Sequence, residues 1–402
     1  MIGKQSIKYS LRNLKQRKAR SFFTLLSIFI GIATIFIFIS FGLGLYAYIG
    51  ELTESSSADK ILIQPKGGAL AMLDTSVELT DDDIKAIEKV VGVYEVTGSY
   101  FKAVEVEAQD KRIYSLLISY DPKKPIVMEV ANIEIYEGRN LKSGDYSEAV
   151  LGYNYLVADR IFPKPISVNQ NIEVNGKKIK VVGFLEEVGN PADDSQVYVS
   201  NEFMTSFYPG EELSYGWIVA KVELDDIDEI VKRVEKALRK ERGLDEGKED
   251  FYVQSFQDMI EGYSSALDIV FGFIVLIALI SILVSAVNTA NTMITSVIER
   301  TKEIGIIKSI GARNSDIFGI FLFESGFLGF LAGVIGVIMG FLISYAGGRI
   351  LDNLGYGFLQ PQFTPWLFIG CIAFATITGA ISGVFPAMNA SKINPIDALR
   401  YE

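Results

Sequence analysis

The sequence predicts an α-helical membrane protein with four transmembrane helices, one and then three, and an extracytoplasmic mixed α+β domain inserted between spans one and two. Three observations predict it. Residues 21–50, 269–298 and 353–391 contain no charged side chain, and 317–348 contain only Glu324. A hydrocarbon core of about 30 Å needs about 20 residues at 1.5 Å each, and at that length only a helix satisfies its own backbone. The intervening region 51–267 is polar instead, with 24 basic and 41 acidic side chains, a net of −17. Finally, basic residues cluster at the span ends. The first 21 residues hold Lys4, Lys8, Arg12, Lys15, Arg17, Lys18 and Arg20 with no acid, and Arg300, Lys302, Lys308 and Arg313 follow the second run. Such flanks stay in the cytoplasm, which places both termini there and locates the chain in the plasma (inner) membrane.

In chain order, residues 1–21 read as a basic amphipathic helix and 22–49 as the first span. A cleavable signal has an apolar core of about 7–15 residues and a small-residue cleavage site. Phe41-Gly-Leu-Gly-Leu-Tyr-Ala-Tyr offers no such site, so an uncleaved anchor is expected. Residues 50–267 form the extracytoplasmic domain, large enough for its own core. The one cysteine, Cys371, lies in the fourth span, so the domain folds without a disulfide.

Within that domain Lys60-Ile-Leu-Ile-Gln reads as a strand, as do Tyr100–Glu107 and Arg112–Tyr120. Thr80-Asp-Asp-Asp opens a helix, with Thr80 as N-cap, acids in the first turn, and Ile84, Ile87, Val90 and Val91 on one face. Two β-rich runs meet across Asn175-Gly176, a hairpin signal. Asp225–Arg242 repeats Ile227, Ile230, Val231, Val234 and Leu238 at helical spacing. The second span covers 268–291, a charged segment 292–316 follows, and the third span covers 317–345. A short outer loop 346–364, a fourth span 365–388 and a tail 389–402 complete the chain.

The run Val297–Ala312 is a short amphipathic, mixed-charge helix between two spans. It is either a bar that passes motion between a soluble partner and the membrane helices, or a solvated loop. Glu324 is the one ionisable residue well inside the apolar regions. It is either functional or, near the cytoplasmic end, paired with a helix end or polar neighbour. Gly326, Gly329, Gly333, Gly336 and Gly340 recur at spacings of 3 and 4 on the same span. That stripe permits close helix approach, within the subunit or in a dimer.

Several chemistries are excluded. Histidine is absent, which removes Ser-His-Asp and Cys-His catalysis and His-containing zinc sites. No Gly-x-x-x-x-Gly-Lys-Ser/Thr occurs, so the chain cradles no nucleotide in the P-loop manner. Asp81, Asp82, Asp83, Asp193 and Asp194 lack calcium-loop spacing and fit helix capping and a turn better. The acidic exterior repels nucleic acid. No catalytic constellation remains, and no cofactor is expected.

The segment Glu299-Arg-Thr-Lys-Glu-Ile-Gly-Ile-Ile-Lys-Ser-Ile-Gly-Ala resembles the signature of MacB/FtsX-like ABC-transporter permeases. Leu11–Ala33 is similar to that family's entry into its first span. Glu137-Gly-Arg-Asn-Leu and Val181-Val-Gly-Phe-Leu-Glu resemble the MacB-type periplasmic core, and Pro386–Glu402 resembles the C-terminal segment. The resemblance implies one span, an exterior domain and three spans. It also implies a dimer with itself or a similar chain on a separate ABC ATPase that binds the ATP. Members with a fused ATPase carry it ahead of the first span, and this chain starts too close to that span to do so.

In the coupling element so implied, Glu299, Arg300, Lys302 and Glu303 would make charged contacts with the ATPase. Ile304, Ile306, Ile307 and Ile310 would seat the helix, with Lys308 alongside. Gly305 and Gly311 would allow close approach and termination before Ala312. The function implied is mechanotransmission: ATP-driven movement of the exterior domain that exports or extracts a lipophilic compound, peptide or lipoprotein. The alternatives are an FtsX-like regulator of extracytoplasmic enzymes and a sensor or scaffold without ATPase coupling.

Overall fold

The computed structural model describes residues 18–54, 58–67, 78–131 and 134–400. The amphipathic helix expected over 1–21 lies outside them up to residue 17. The chain divides into two compact units. One holds the apolar helices up to Leu45, Leu267–Arg349 and the chain from Pro361 on; the other holds Tyr46–Ala266 with the loop Ile350–Gln360.

The second unit is built on a ten-stranded mixed sheet. Its strands are β1 (Lys60–Pro65), β2 (Val93–Ala108), β3 (Lys111–Tyr120), β4 (Ile135–Gly138), β5 (Glu148–Leu151), β6 (Asn171–Val174), β7 (Lys177–Leu185), β8 (Val197–Ser200), β9 (Tyr215–Val222) and β10 (Phe251–Ser255). The order is β10-β1-β9-β2-β3-β8-β5-β7-β4, with β6 joining β2 and β7. The pairs β3–β8 and β5–β7 are parallel. Strand β2 extends further than Tyr100–Glu107 because its first half pairs β9 and its second half pairs β3. The expected hairpin joins β6 to β7, with Asn175 and Gly176 both at positive φ, as a two-residue turn of matching twist requires.

The sheet is buried on both faces. Ile61, Ile63, Leu117, Val181 and Ile218 enter one core, and their chain neighbours Leu62, Ile118, Val182 and Val219 enter the other. Taking the helices in chain order, α1 is Lys18–Glu54, α2 Asp81–Glu88, α3 Ile126–Ala131, α4 Pro191–Asp194, α5 Asn201–Phe207 and α6 Ile227–Arg242. Helix α2 contributes Ile87 and α6 contributes Ile230, Val234 and Leu238 to the first core. Helix α3 and the first turns of α7 (Phe256–Glu299), with Phe256 and Ile260, cover the second.

The acidic clusters are engaged by protein groups. The Thr80 N–H donates to Asp83 Oδ2 at 2.8 Å, and the same carboxylate receives Arg242 Nη2 at 2.7 Å. Tyr215 donates to Asp81 and Lys85 to Asp82. Asp194 accepts the N–H groups of Val188 and Gly189 at 2.9 and 2.8 Å. The Gly189 carbonyl in turn accepts the N–H of Phe358 at 3.0 Å, and Arg160 donates to the Asp352 carbonyl. The loop Ile350–Gln360 is thereby fastened to the sheet unit. Burial pushes the Asp194 carboxyl up to about 6, against the pull of its two N–H donors.

The apolar unit is formed by most of α1, by α7 (Phe256–Glu299) beyond residue 266, and by α8 (Thr301–Ser309), α9 (Asn314–Asn353), α10 (Pro365–Ser391) and α11 (Pro395–Arg400). Helices α1, α7, α9 and α10 are each long and apolar enough to cross a membrane, in the one-and-three order read from the sequence. Helix α7 starts at Phe256 because Ser255 and Asp258 cap it reciprocally. Along α7, Phe273, Leu276, Leu279, Ile280, Leu283 and Val287 are all exposed, a surface suited to hydrocarbon. Helices α1, α9 and α10 pack through Ile28, Ile32, Phe36, Ala332, Val337, Leu367 and Ala375.

Candidate functional site

The charged segment between α7 and α9 folds as a short helix with distinct faces. Helix α7 stops at Glu299, and Arg300 forms the joint with φ −109°. The Arg300 N–H still bonds the Val297 carbonyl, and its own carbonyl accepts the Ile304 N–H. The far end closes by the N–H of Gly311 on Lys308 and of Ala312 on Ile307. This pairing is a Schellman stop, which needs a left-handed residue, and Gly311 supplies it at φ +105°. Asp316 then accepts the Arg313 N–H at 3.0 Å and opens α9.

The inner face of α8 carries Ile304 and Gly305, both buried. Ile304 joins Met293, Val297, Ile317, Phe321, Leu328, Ala387 and Ala390 in one core, with Ile307 and Ala312 at its edge. Glu299, Lys302, Glu303, Ile306 and Ile310 face outward. Ile306 is 51% and Ile310 82% exposed, and Ile396 of α11, which lies against α8, is 71% exposed. Single exposed isoleucines are ordinary, but three on one small pair of packed helices make a patch with a reason to be covered.

Arg300, expected among the charged contacts, points inward, whereas Ile306 and Ile310, expected to seat the helix, do not. Arg300 has only 5% of its side chain exposed, and its Nη1 lies 2.9 Å from Glu324 Oε2, itself 6% exposed. The guanidinium also covers the Phe321 ring at 4.9 Å and reaches Glu303 Oε2 at 3.4 Å. Glu324 is thus the partner of a basic residue 24 positions earlier in the chain. Lys308 donates to the carbonyls of Ser391 and Ile393 at 3.0 and 2.7 Å. It caps the orphan carbonyls that end α10, so it holds the C-terminal segment rather than facing outward.

The glycine stripe packs within the chain. A Cβ at Gly326 would touch Ala380, and one at Gly329 would run into the Ala375 carbonyl and Gly379. Gly333 meets Ala375 and Ile372 of the same helix α10. Gly336 and Gly340 face α1 instead, against Ile32 and Phe36. The sequence reading missed the other half of this contact, Gly379 and Gly383 on α10, and a buried hydrogen bond from Ser40 to Ser344 at 3.0 Å. Their spacing of four, Gly379 to Gly383, is the signal that would have found them. It also missed Ile396, which only the packing of α11 on α8 brings to the patch.

Comparison with known proteins bears on both regions. Residues 21–237 match the MacB-like periplasmic core domain, and 275–395 match the FtsX-like permease C-terminal model. The chain is 34% identical over 398 residues to an uncharacterized ABC transporter permease of Methanocaldococcus jannaschii, covering 98% of each. It is 27% identical to the uncharacterized ABC transporter permease YknZ of Bacillus subtilis, covering 99% of each. It is 28% identical to the macrolide export ATP-binding/permease protein MacB of Marinobacter nauticus, covering 99% of this chain and 61% of that protein. Among solved structures, the periplasmic region of MacB from Actinobacillus actinomycetemcomitans aligns with a TM-score of 0.42 at 15% identity, over 53% of this chain and 98% of that one.

Proposed function

This chain belongs to the MacB/FtsX-like family of ABC-transporter permeases, and from that premise we propose that it couples a separate ABC ATPase to movement of its α+β domain. The carrying observation is the outward face of α8. Lys302, Glu303, Ile306 and Ile310 are exposed while Ile304, Gly305 and Arg300 are buried behind them. A helix whose inner face is locked into the membrane core and whose outer face is half apolar, half charged suits a soluble protein partner. In this reading α8 and α11 lie on the cytoplasmic side with both chain termini.

ATP binding in the partner would shift α8, and the exterior domain would respond without a substrate path through the spans. The spans suit such a role, because Glu324, the one charged residue within 317–348, is paired with Arg300. The domain would act on a lipophilic compound, a peptide or a lipoprotein, or regulate an extracytoplasmic enzyme. The assembly would contain two permease chains, identical or similar, in the lipid bilayer.

The test is purification from native membranes in mild detergent, beside an Ile306→Asp/Ile310→Asp variant. An ABC ATPase retained by the parent and lost by the variant is the expected result. An ATPase retained by both would move the docking surface off α8. Absence of any ATPase, under conditions that preserve complexes of this kind, would overturn the coupling role in favour of a sensor or scaffold.

A further inference from the structure

We propose that Arg300 is the positioning residue that makes helix α8 and the third-span helix α9 move as one body, through its buried ion pair with Glu324. The inference rests on the coupling reading for its purpose, but the geometry stands independently of any ATPase. Arg300 occupies the joint where α7 ends and α8 begins, and its φ of −109° departs from the helices on either side. A joint of this kind would bend if nothing tied it. Its side chain is tied, to two positions one turn apart on α9: Nη1 on Glu324 at 2.9 Å and the guanidinium over Phe321 at 4.9 Å. Both partners of the ion pair are buried. Bending the joint would separate two charges where solvent cannot compensate them, which is strongly unfavourable.

The same guanidinium reaches outward. Its Nε is 3.4 Å from Glu303 Oε2, and the Glu303 side chain is 57% exposed on the face proposed to dock the ATPase. One planar fork therefore connects that face to the third span, a geometry that arginine holds and lysine does not. Helix α9 in turn packs closely on α10 and α1 through its glycines, so a displacement delivered to α9 reaches both. Stability alone gives no reason for an ion pair here, since a buried pair is often replaced by apolar side chains at no loss, whereas the fixing of one geometry is what such pairs are best known to provide.

The test measures the joint directly in full-length protein reconstituted in lipid nanodiscs. Spin labels at Lys302→Cys and Ser315→Cys, in a Cys371→Ser background and diluted with unlabelled chain, report the distance between α8 and the start of α9. The parent should give a single narrow distance distribution. The Arg300→Met/Glu324→Leu variant should unfold at the parent's temperature yet lose that narrow distribution for a broad one. A narrow distribution in this variant would overturn the proposal, because the pair would then be a stabilising contact only. Should the apolar pair fail to fold, Arg300→Lys keeps the charge and loses the fork, and broadening is again expected while an unchanged width overturns it. Failure of ATPase co-purification would remove the coupling reading and leave this measurement unaffected.

Discussion

Replacing Gly379 of α10 by alanine tests how closely the third and fourth spans must approach. A Cβ there would lie 2.8 Å from the Ser325 carbonyl oxygen, 2.9 Å from Gly329 Cα and 3.1 Å from Gly329 N. All three are backbone atoms of α9, so no side chain can swing aside. To reach an ordinary contact of 3.4 Å the two helices must part by about 0.6 Å. A gap of that size forfeits roughly a quarter of the dispersion well at each facing contact, here including Gly326 on Ala380 and Gly333 on Ala375. Overpacking of this kind costs about 1–3 kcal/mol. Alanine in a helix interior recovers about 1 kcal/mol over glycine, which leaves a net loss of about 0–2 kcal/mol against the parent and a loss of about 1–3 kcal/mol against a glycine-to-alanine change with no clash. The control is Gly370→Ala on the same helix, where nothing lies within 4 Å and only the propensity gain applies. Both variants are unfolded by detergent titration in mixed micelles. If Gly379→Ala proves as stable as Gly370→Ala, the helices are not in the close contact argued here, and the glycine stripe has no packing role.

Other expectations follow from single contacts. Lys308→Met removes two charge-assisted hydrogen bonds to the end of α10, each worth about 1.5–3 kcal/mol. Amide exchange in α11 should rise by at least about tenfold while that of α9 stays as in the parent, and unchanged exchange in α11 would refute the capping role. Asp83→Asn breaks the buried pair with Arg242 and should destabilise the sheet unit by about 3–5 kcal/mol, whereas Asp82→Asn, at an exposed surface pair, should leave denaturant unfolding as it was. The Asp194 carboxyl is held at about 6 by burial against 3.8 for the free group. Between those values the native chain holds a proton that the unfolded chain has released. Its contribution to stability therefore grows as pH falls through about 6 and is complete below about 4, amounting to about 3 kcal/mol. The difference in denaturant unfolding between parent and Asp194→Asn, followed by tryptophan fluorescence from pH 8 to pH 4, should show that slope; parallel curves would refute it.

Much of the membrane unit was legible because hydrocarbon is a severe solvent. It forces long charge-free stretches, so α1, α7, α9 and α10 each carry a long apolar run, and the single charge inside those runs, Glu324, is conspicuous. The exterior elements that could be read were those with one wet face or a turn of fixed chemistry: the α2 cap at Thr80, the α6 stripe, the Asn175-Gly176 hairpin. Strands β5, β8 and β9 escaped because a sheet covered on both sides shows no alternation. Tyr-Gly-Trp-Ile-Val-Ala-Lys-Val of β9 is a continuous apolar run that periodicity does not assign.

The sequence by itself therefore determined the layout of one span, a domain and three spans, the acidic exterior and the charged bar between spans two and three. Each of these follows from local composition or from a short-range pattern along the chain. Only the tertiary structure decided which charges of that bar look outward. Arg300 and Lys302 are two residues apart and equally basic, yet one is buried on Glu324, 24 positions away, and the other faces solvent. Likewise the glycine stripe could serve a dimer or the subunit until Gly379 and Gly383 were found opposite it on α10. Both decisions are long-range pairings, and a pairing between distant positions leaves no trace in the spacing of either partner alone.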